Sequence, residues 1–455
     1  MKNKYYIRIM TALLVLLCLL PAAACAEKEV IPTETKERTT EAENTWKPAE
    51  GEADAVLLSA DYERTRYLTE NVLDRPRPET DFTDALNGFS FDFFRACLKA
   101  GGNEDGANEL ISPLSAALCI SLVENGAAGK TLSEMETMFG MPLEMWRASL
   151  GELADLLPSY VKEGKVQTAN SIWIRDQFAP FVRPSFLQSN AEYFDAQVYS
   201  SPFDLSLPKD VNKWAYDRTD GLIKNLMDEN QEPDPDAVMI LLNALLFDMP
   251  WADAVEDFAV KEELFTNSDG IGVNVDMLHF SEDFYLKNDK AIGFAKAYAD
   301  GRYQFVGLLP TGKNTVDDVI ESLNAESWKK LLSSLKEADV VCAMPEFTYD
   351  GSYDLKAPLK ALGMVSAFDQ KDADFSAMAD WEDDLWVGKA FQKTRIELTR
   401  NGTRAAAVTG MVMEAETALP MRREKIEIRL DRPFVYLIIN RVTGTPLFIG
   451  TVNEM

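Results

Sequence analysis

The stretch NGTRAAAVTGMVMEAETALP, Asn401 to Pro420, suits neither a helix nor an ordinary surface loop. Three consecutive alanines favour a helix, but Gly410 and the valines and threonines around it oppose one. Read with the period of two that a strand imposes, the stretch resolves into two unlike faces. Positions 401, 403, 405, 407, 409, 411, 413 and 415 are Asn, Thr, Ala, Ala, Thr, Met, Met and Ala, none of them charged and the early ones small. Positions 402 to 416, taken by twos, hold every charge of 402–416. This is the pattern of a latent strand, able to turn its uncharged face to a core. A close-packed sheet has no room for a large or charged side chain at 403, 405 or 407. About fourteen residues at roughly 3.3 Å each would span on the order of 46 Å, the traverse of a large domain.

The chain around it is acidic. A formal net charge of −28 over 455 residues repels phosphate backbones and argues against nucleic acid as a partner. Lys2, Lys4 and Arg8 precede an apolar run, Ile9 to Leu20, too short for a membrane span, so residues 1–24 read as a signal peptide. Pro21-Ala-Ala-Ala-Cys25 resembles a bacterial lipobox in which Cys25 is acylated, although Ala22 stands where leucine is usual. Plain secretion with cleavage near Ala24 is the alternative. Residues 25–54, rich in Glu, Thr, Lys and Pro, read as a lipoprotein tether, and 55–79 as an N-terminal extension. The expectation is an exported, cell-surface lipoprotein whose only membrane contact is the lipid on Cys25.

The residue inventory argues against catalysis. The single histidine, His279, lies in the alternating stretch Val275-Asp-Met-Leu-His-Phe280, and no GxSxG elbow occurs. HExxH is impossible with one histidine, and GxxxxGK[ST] is absent. Cys97, Cys119 and Cys342 are widely spaced in apolar surroundings and read as buried thiols. The acidic stretch from Asp369 to Asp384 lacks the spaced loop of a calcium site and reads as a solvated face. No metal, cofactor or catalytic residue is expected, and the chain does not read as an enzyme.

Periodicity predicts a helix over Asp84–Leu98 and another from Ser112-Pro113 to near Gly126. Thr131, with Glu134 three residues on, predicts a capping box at a further helix. Strands are expected at Val166–Ile174 and at Val238–Phe247, the latter apolar on both faces as a covered central strand would be. From about 255 the chain reads as strand-rich, with helices near 315–336 and 355–363. Helices first and strands later indicate α+β. No repeat or Pro/Gly-rich linker interrupts 80–455, which reads as one domain.

Seven motifs in order then resemble those of the serpin family. Asn108-Glu-Leu-Ile-Ser112-Pro113-Leu-Ser115 is similar to its NxxxSPxS, and Gly126-Ala-Ala-Gly129-Lys-Thr131 with Glu134-Met135 to its GAxGxT..EM. Asn212-Lys-Trp214, Thr219 and Gly221-Leu-Ile223 resemble INxWVxxxTxGxI, and Asn243-Ala-Leu-Leu-Phe247 through Trp251 resembles NAxYFKGxW. Ala373-Asp-Phe-Ser376, Arg432-Pro-Phe434 and Leu447-Phe-Ile-Gly450 complete the series over 80–455. The resemblance implies N-terminal helices packed on a large central β-sheet with further sheets, and an exposed reactive-centre loop at about 400–424.

It also implies a suicide-type serine protease inhibitor. A target protease forms an acyl ester with the loop, and the cut loop inserts into the central sheet, dragging the enzyme out of shape. Gly402, Thr403, Arg404, Ala405, Ala406, Ala407, Val408 and Thr409 resemble the hinge of inhibitory members, G-T-x-A-A-A-x-T. Family spacing puts the reactive bond at Glu416–Thr417, with Leu419, Met421 and Arg422 as rivals; Pro420 would have to enter a central strand if cleavage lay beyond it. Glu416 would suit an elastase-like or glutamate-preferring serine protease. Ser112, Ser115, Asn243 and Gln392 fall at the family's shutter, with Gln392 where histidine is common. Arg400 and Glu346 fall at the hinge salt bridge with both signs reversed. A monomer is expected. The alternative is a non-inhibitory binding or adhesion protein on the same scaffold.

Overall fold

The computed structural model describes residues 55–59, 79–101, 107–161, 164–221, 226–233, 235, 237–381, 384–388, 390–403 and 423–455. The expected leader, the tether with Cys25, and the loop residues 404–422 lie outside the described residues.

Apolar spacing sets the helices. In α1 (Thr80–Lys99), Phe82, Leu86, Phe89, Phe93 and Cys97 recur every three or four residues and all are buried. Helix α2 (Pro113–Glu124) has no polar face, and eleven of its twelve residues are buried. Ser112 caps it, its hydroxyl accepting from Ser115 N at 3.3 Å, with Pro113 in the first turn. Helix α3 (Gly129–Phe139) overturns the capping box expected at Thr131, because it starts two residues earlier. Thr131 Oγ1 instead meets Ser366 Oγ at 3.0 Å and accepts from Asp374 N at 2.9 Å, while Glu134 Oε2 accepts from Val365 N and Ser366 N. Both side chains fasten a distant segment rather than their own helix.

Helices α4 (Leu143–Leu156), α5 (Pro184–Phe194), α6 (Ser206–Arg218), α7 (Val316–Ser322), α8 (Ala325–Ser333) and α9 (Lys356–Ala361) follow. The helical stretch expected near 315–336 is split, since Asn324 caps α8 by accepting from Ser327 N at 2.9 Å.

The strands are, in chain order, β1 (Val56–Leu57), β2 (Glu109–Ile111), β3 (Ser159–Val161), β4 (Gly164–Arg175), β5 (Gln197–Ser201) and β6 (Met239–Pro250). Then come β7 (Val260–Thr266), β8 (Gly272–Lys287), β9 (Ala291–Ala297), β10 (Tyr303–Pro310), β11 (Lys336–Pro345) and β12 (Phe347–Asp354). The last are β13 (Phe391–Thr399), β14 (Gly402–Thr403), β15 (Lys425–Arg429), β16 (Phe434–Asn440) and β17 (Pro446–Val452). One sheet has the order β1-β5-β4-β6-β14-β13-β12, with β3 beside β4. The other has the order β15-β11-β8-β9-β10-β16-β17-β2, with β7 beside β8. The α+β class and the large central sheet expected from the sequence are both present.

Strand β6 shows why its sequence is apolar on both faces. Leu245, Phe247 and Met249 join the main core shared with the second sheet. Leu242 and Ala244 join a second cluster, where Leu207, Val211 and Trp214 of α6 cover the opposite face. The segment read as an N-terminal extension begins inside the fold. Strand β1 pairs antiparallel with β5, and Leu58 N donates to Val198 O at 2.7 Å.

One buried group sets a pH dependence. Glu124, at the end of α2, is fully buried, and neither carboxylate oxygen has a hydrogen-bond partner among the described residues. Burial, followed by the nearby Glu136 charge, pushes its pKa up to about 8 although Arg147 opposes the rise. The folded pKa exceeds the unfolded one. The stability tied to this group is therefore full at acid pH and is lost as pH climbs through about 8. Glu124→Gln should raise the melting temperature at pH 8 by on the order of a few degrees and flatten its decline between pH 5 and 8. Thermal unfolding across that range checks this; parallel curves for the two proteins would refute it.

Candidate functional site

Two residues of the loop's root already lie inside the first sheet. Gly402 pairs with Pro250 and Thr399, and Thr403 with Met249 and Leu398, so β14 forms a short wedge between β6 and β13. Gly402 has φ of 150°, which an L side chain rarely adopts. Thr403 is 3% exposed, and its Oγ1 lies 2.6 Å from the hydroxyl of Tyr298. Thr403, on the uncharged face, thus points inward. Arg404, Ala405, Ala406, Ala407, Val408, Thr409, Glu416 and Thr417 lie outside the described residues.

The turn before the wedge is held from several sides. Trp251 donates its backbone N–H to Asn401 O at 2.9 Å and its indole N–H to Thr399 O at 3.0 Å. Val255 N donates to Arg400 O at 3.1 Å. Arg400 and Glu346, matched at the hinge with reversed signs, meet here: Nε lies 3.5 Å from Glu346 Oε1, and the Arg400 backbone N–H donates to the same oxygen at 2.6 Å. A second carboxylate, Asp257, lies 2.8 Å from Arg400 Nη1. Nothing in the sequence singled out Asp257, Trp251's carbonyl partners or Tyr298.

Below Thr403 the seam between β6 and β13 holds no strand among the described residues. Strand β6 is laddered to β4 along its other edge and β13 to β12 along its own. Cavities follow the seam downward. One of about 10 Å³ sits under Thr403 between Phe247 and Ile396. The next, about 30 Å³, is walled by Ser115, Asn243 and Gln392. At the foot, about 450 Å³ opens between Met239, Ile240 and Phe391, with Trp386 and Tyr353 beyond.

The four residues read as a shutter divide into two groups. Gln392 and Ser112 exchange two hydrogen bonds, Ser112 N to Oε1 and Nε2 to Ser112 O, each at 2.9 Å. Ser112 Oγ donates to Leu447 O at 2.7 Å and accepts from Ser115 N, so β13, α2 and β17 are tied together. Asn243 makes no direct bond to this group. It faces Asn170 across the β4–β6 ladder and donates to Asn170 Oδ1 at 2.7 Å, leaving its own Oδ1 buried without a partner among the described residues. The two groups share only the wall of the middle cavity.

Reactive groups elsewhere are tied up. His279 Nε2 lies 3.1 Å from Glu263 Oε1, and Glu263 also pairs with Arg429, so the ring is one arm of an ion-pair group. The Cys97 and Cys342 thiols are buried, Cys119 is partly exposed, and desolvation raises the pKa of all three, which leaves them poor nucleophiles. Among the described residues no group of three or more His, Cys, Asp or Glu side chains is arranged to hold a metal ion.

This arrangement has close counterparts. A serpin-like protein of Thermococcus kodakarensis is 27% identical over 379 residues, which cover 82% of this chain and 85% of that one. Rat neuroserpin is 30% identical over 377 residues, covering 78% and 87% of the two chains. The crystal structure of tengpin, a thermophilic serpin, in its native state matches with a TM-score of 0.78 and 31% identity, over 88% of this chain and all of that one. Residues 84–455 match the family described as Serpin (serine protease inhibitor), and the chain belongs to that family.

Proposed function

We propose that this protein is a suicide inhibitor of a serine protease, working by insertion of its cut loop into the seam between β6 and β13. The observation that carries the reading is the wedge at Gly402–Thr403, with Thr403 buried above an open seam. Extending the wedge in the same register gives each loop residue an address. On insertion Ala405 would fall between Phe247 and Ile396, Ala407 between Leu245 and Thr394, and Thr409 between Asn243 and Gln392, by continuation of the Gly402–Thr403 register. Met411 and Met413 would fall beside Leu241 and Met239. The cavities grow downward as the inward side chains grow from alanine to methionine.

The outer face is matched in charge as well. On insertion Arg404 would fall between Asp248 and Glu397, two acidic residues flanking the top of the seam. Insertion adds a ladder on both sides. Ten or more backbone hydrogen bonds at a net 0.5–1.5 kcal/mol each give a gain of about 10 kcal/mol. A gain of that size must be withheld by a barrier, so the uncut protein is metastable. The reactive bond is assigned to Glu416–Thr417 and the target to elastase-like or glutamate-preferring serine proteases. Cys25 is assigned as the lipid anchor of an exported protein that acts as a monomer at the cell surface.

Incubation with such a protease should yield a covalent complex that survives denaturation, and mass spectrometry should find a released peptide beginning at Thr417. Clean cleavage with undiminished protease activity would instead support a non-inhibitory binding role. A peptide beginning at Arg423 would move the reactive bond to Arg422.

Arg404→Glu sets a third acid between Asp248 and Glu397 on insertion. It should raise the number of inhibitor molecules consumed per protease by about two- to fivefold, an effect that shrinks in high salt. An unchanged stoichiometry at low salt would refute this register.

A further inference from the structure

The seam has a latch at its top. Tyr298 follows β9 directly and is fully buried. Its ring stacks on Trp251 at 4.5 Å and meets Phe247 edge-on at 4.8 Å, while its backbone N–H donates to Tyr303 O at 3.1 Å. Beside Trp251 lies a buried lysine, Lys296, whose Nζ donates to Asp253 O at 3.0 Å and sits 5.5 Å from the Trp251 ring. The tyrosine hydroxyl is therefore fixed in space before the loop arrives. Burial raises its pKa, which keeps the phenol neutral and able to donate. Thr403, which it touches, lies between the buried Met249 and Leu398.

We infer that the Tyr298–Thr403 hydrogen bond is a positioning contact that docks the loop's root in the sheet before any cut and fixes the phase of the strand that follows. The inference rests on the insertion reading above and adds a register check to it. A slip of one residue would offer Tyr298 either Gly402, which has no side chain, or Arg404, whose charge has no place in that apolar pocket. Only Thr403 brings a short hydroxyl. Withdrawing it leaves a buried phenol without its partner, so the docked root is favoured over the withdrawn one. Because the contact is present before cleavage, it contributes equally to the intact and the inserted protein. It acts on where insertion starts rather than on how much stability insertion yields.

The test uses the full chain with Thr403→Val, Tyr298→Phe, the double variant and Thr403→Ser. Melting temperatures are measured before and after limited digestion within residues 404–422, and the growth of the stabilised form is followed in time. Thr403→Val and Tyr298→Phe should lower the melting temperature of intact and nicked protein alike and slow insertion roughly fivefold. The double variant should be no worse than either single one, and Thr403→Ser should insert at the wild-type rate. Loss of stability in the nicked form alone, or a wild-type insertion rate in both single variants, would overturn the latch. Should the wild-type protein gain no stability on nicking, the insertion reading itself fails. The loss in intact Thr403→Val, measured without any cut, would still support the docked contact.

Discussion

The facing edges of β6 and β13 carry backbone donors and acceptors in strand geometry, yet among the described residues only Gly402 and Thr403 are laddered between them. Each strand is secured along its far edge, β6 by β4 and β13 by β12, so neither is free to turn away. The two edges are anchored below by the main core and covered on one face by α6. On the insertion mechanism proposed above, anchoring of this kind is what would hold the cost of unpaired strand edges in the uncut protein. The cavities, the buried threonine and the divided shutter all follow from this constraint.

The anchoring is shared among distant parts of the chain. Ser112 links Gln392 of β13 to Leu447 of β17, and Thr394 of β13 donates to Leu110 O of β2 at 2.8 Å, so β13 is tied to the second sheet at two points. At the top, Arg400, Glu346 and Asp257 hold the turn that feeds the wedge, and Trp251 holds its carbonyls. At the far margin β1 completes the sheet beyond β5, so a few residues upstream of α1 also belong to the body of the sheet.

Much of this was legible in the residues. Strand β6 was plain because burial on two faces leaves a continuous apolar run, and α1 because one buried face leaves a helical period. The two-faced pattern of 401–416 pointed inward at Thr403, where the chain indeed turns its side chain to the core. Apart from the Arg400–Glu346 pair that the family resemblance implied, contacts between residues far apart in sequence could not be read. Tyr298 is 105 residues from Thr403, and no local pattern marks it. Thr131 and Glu134 matched a capping pattern, but the helix begins at Gly129, and their side chains bond Ser366 and Asp374 from elsewhere in the chain. Asn243 matched its motif, yet its amide turned to Asn170 because the β4–β6 register sets the two directly opposite.

At the midpoint of the seam stands an amide, Gln392, where the family resemblance implied an imidazole. An amide keeps both its donor and its acceptor at any acidity a cell meets, whereas an imidazole would gain a proton near neutrality and lose its acceptor. The clasp between Gln392 and Ser112 therefore holds unchanged in acid surroundings. On the mechanism proposed above, acidity alone would not open this joint, and its release would wait on the severing of the loop.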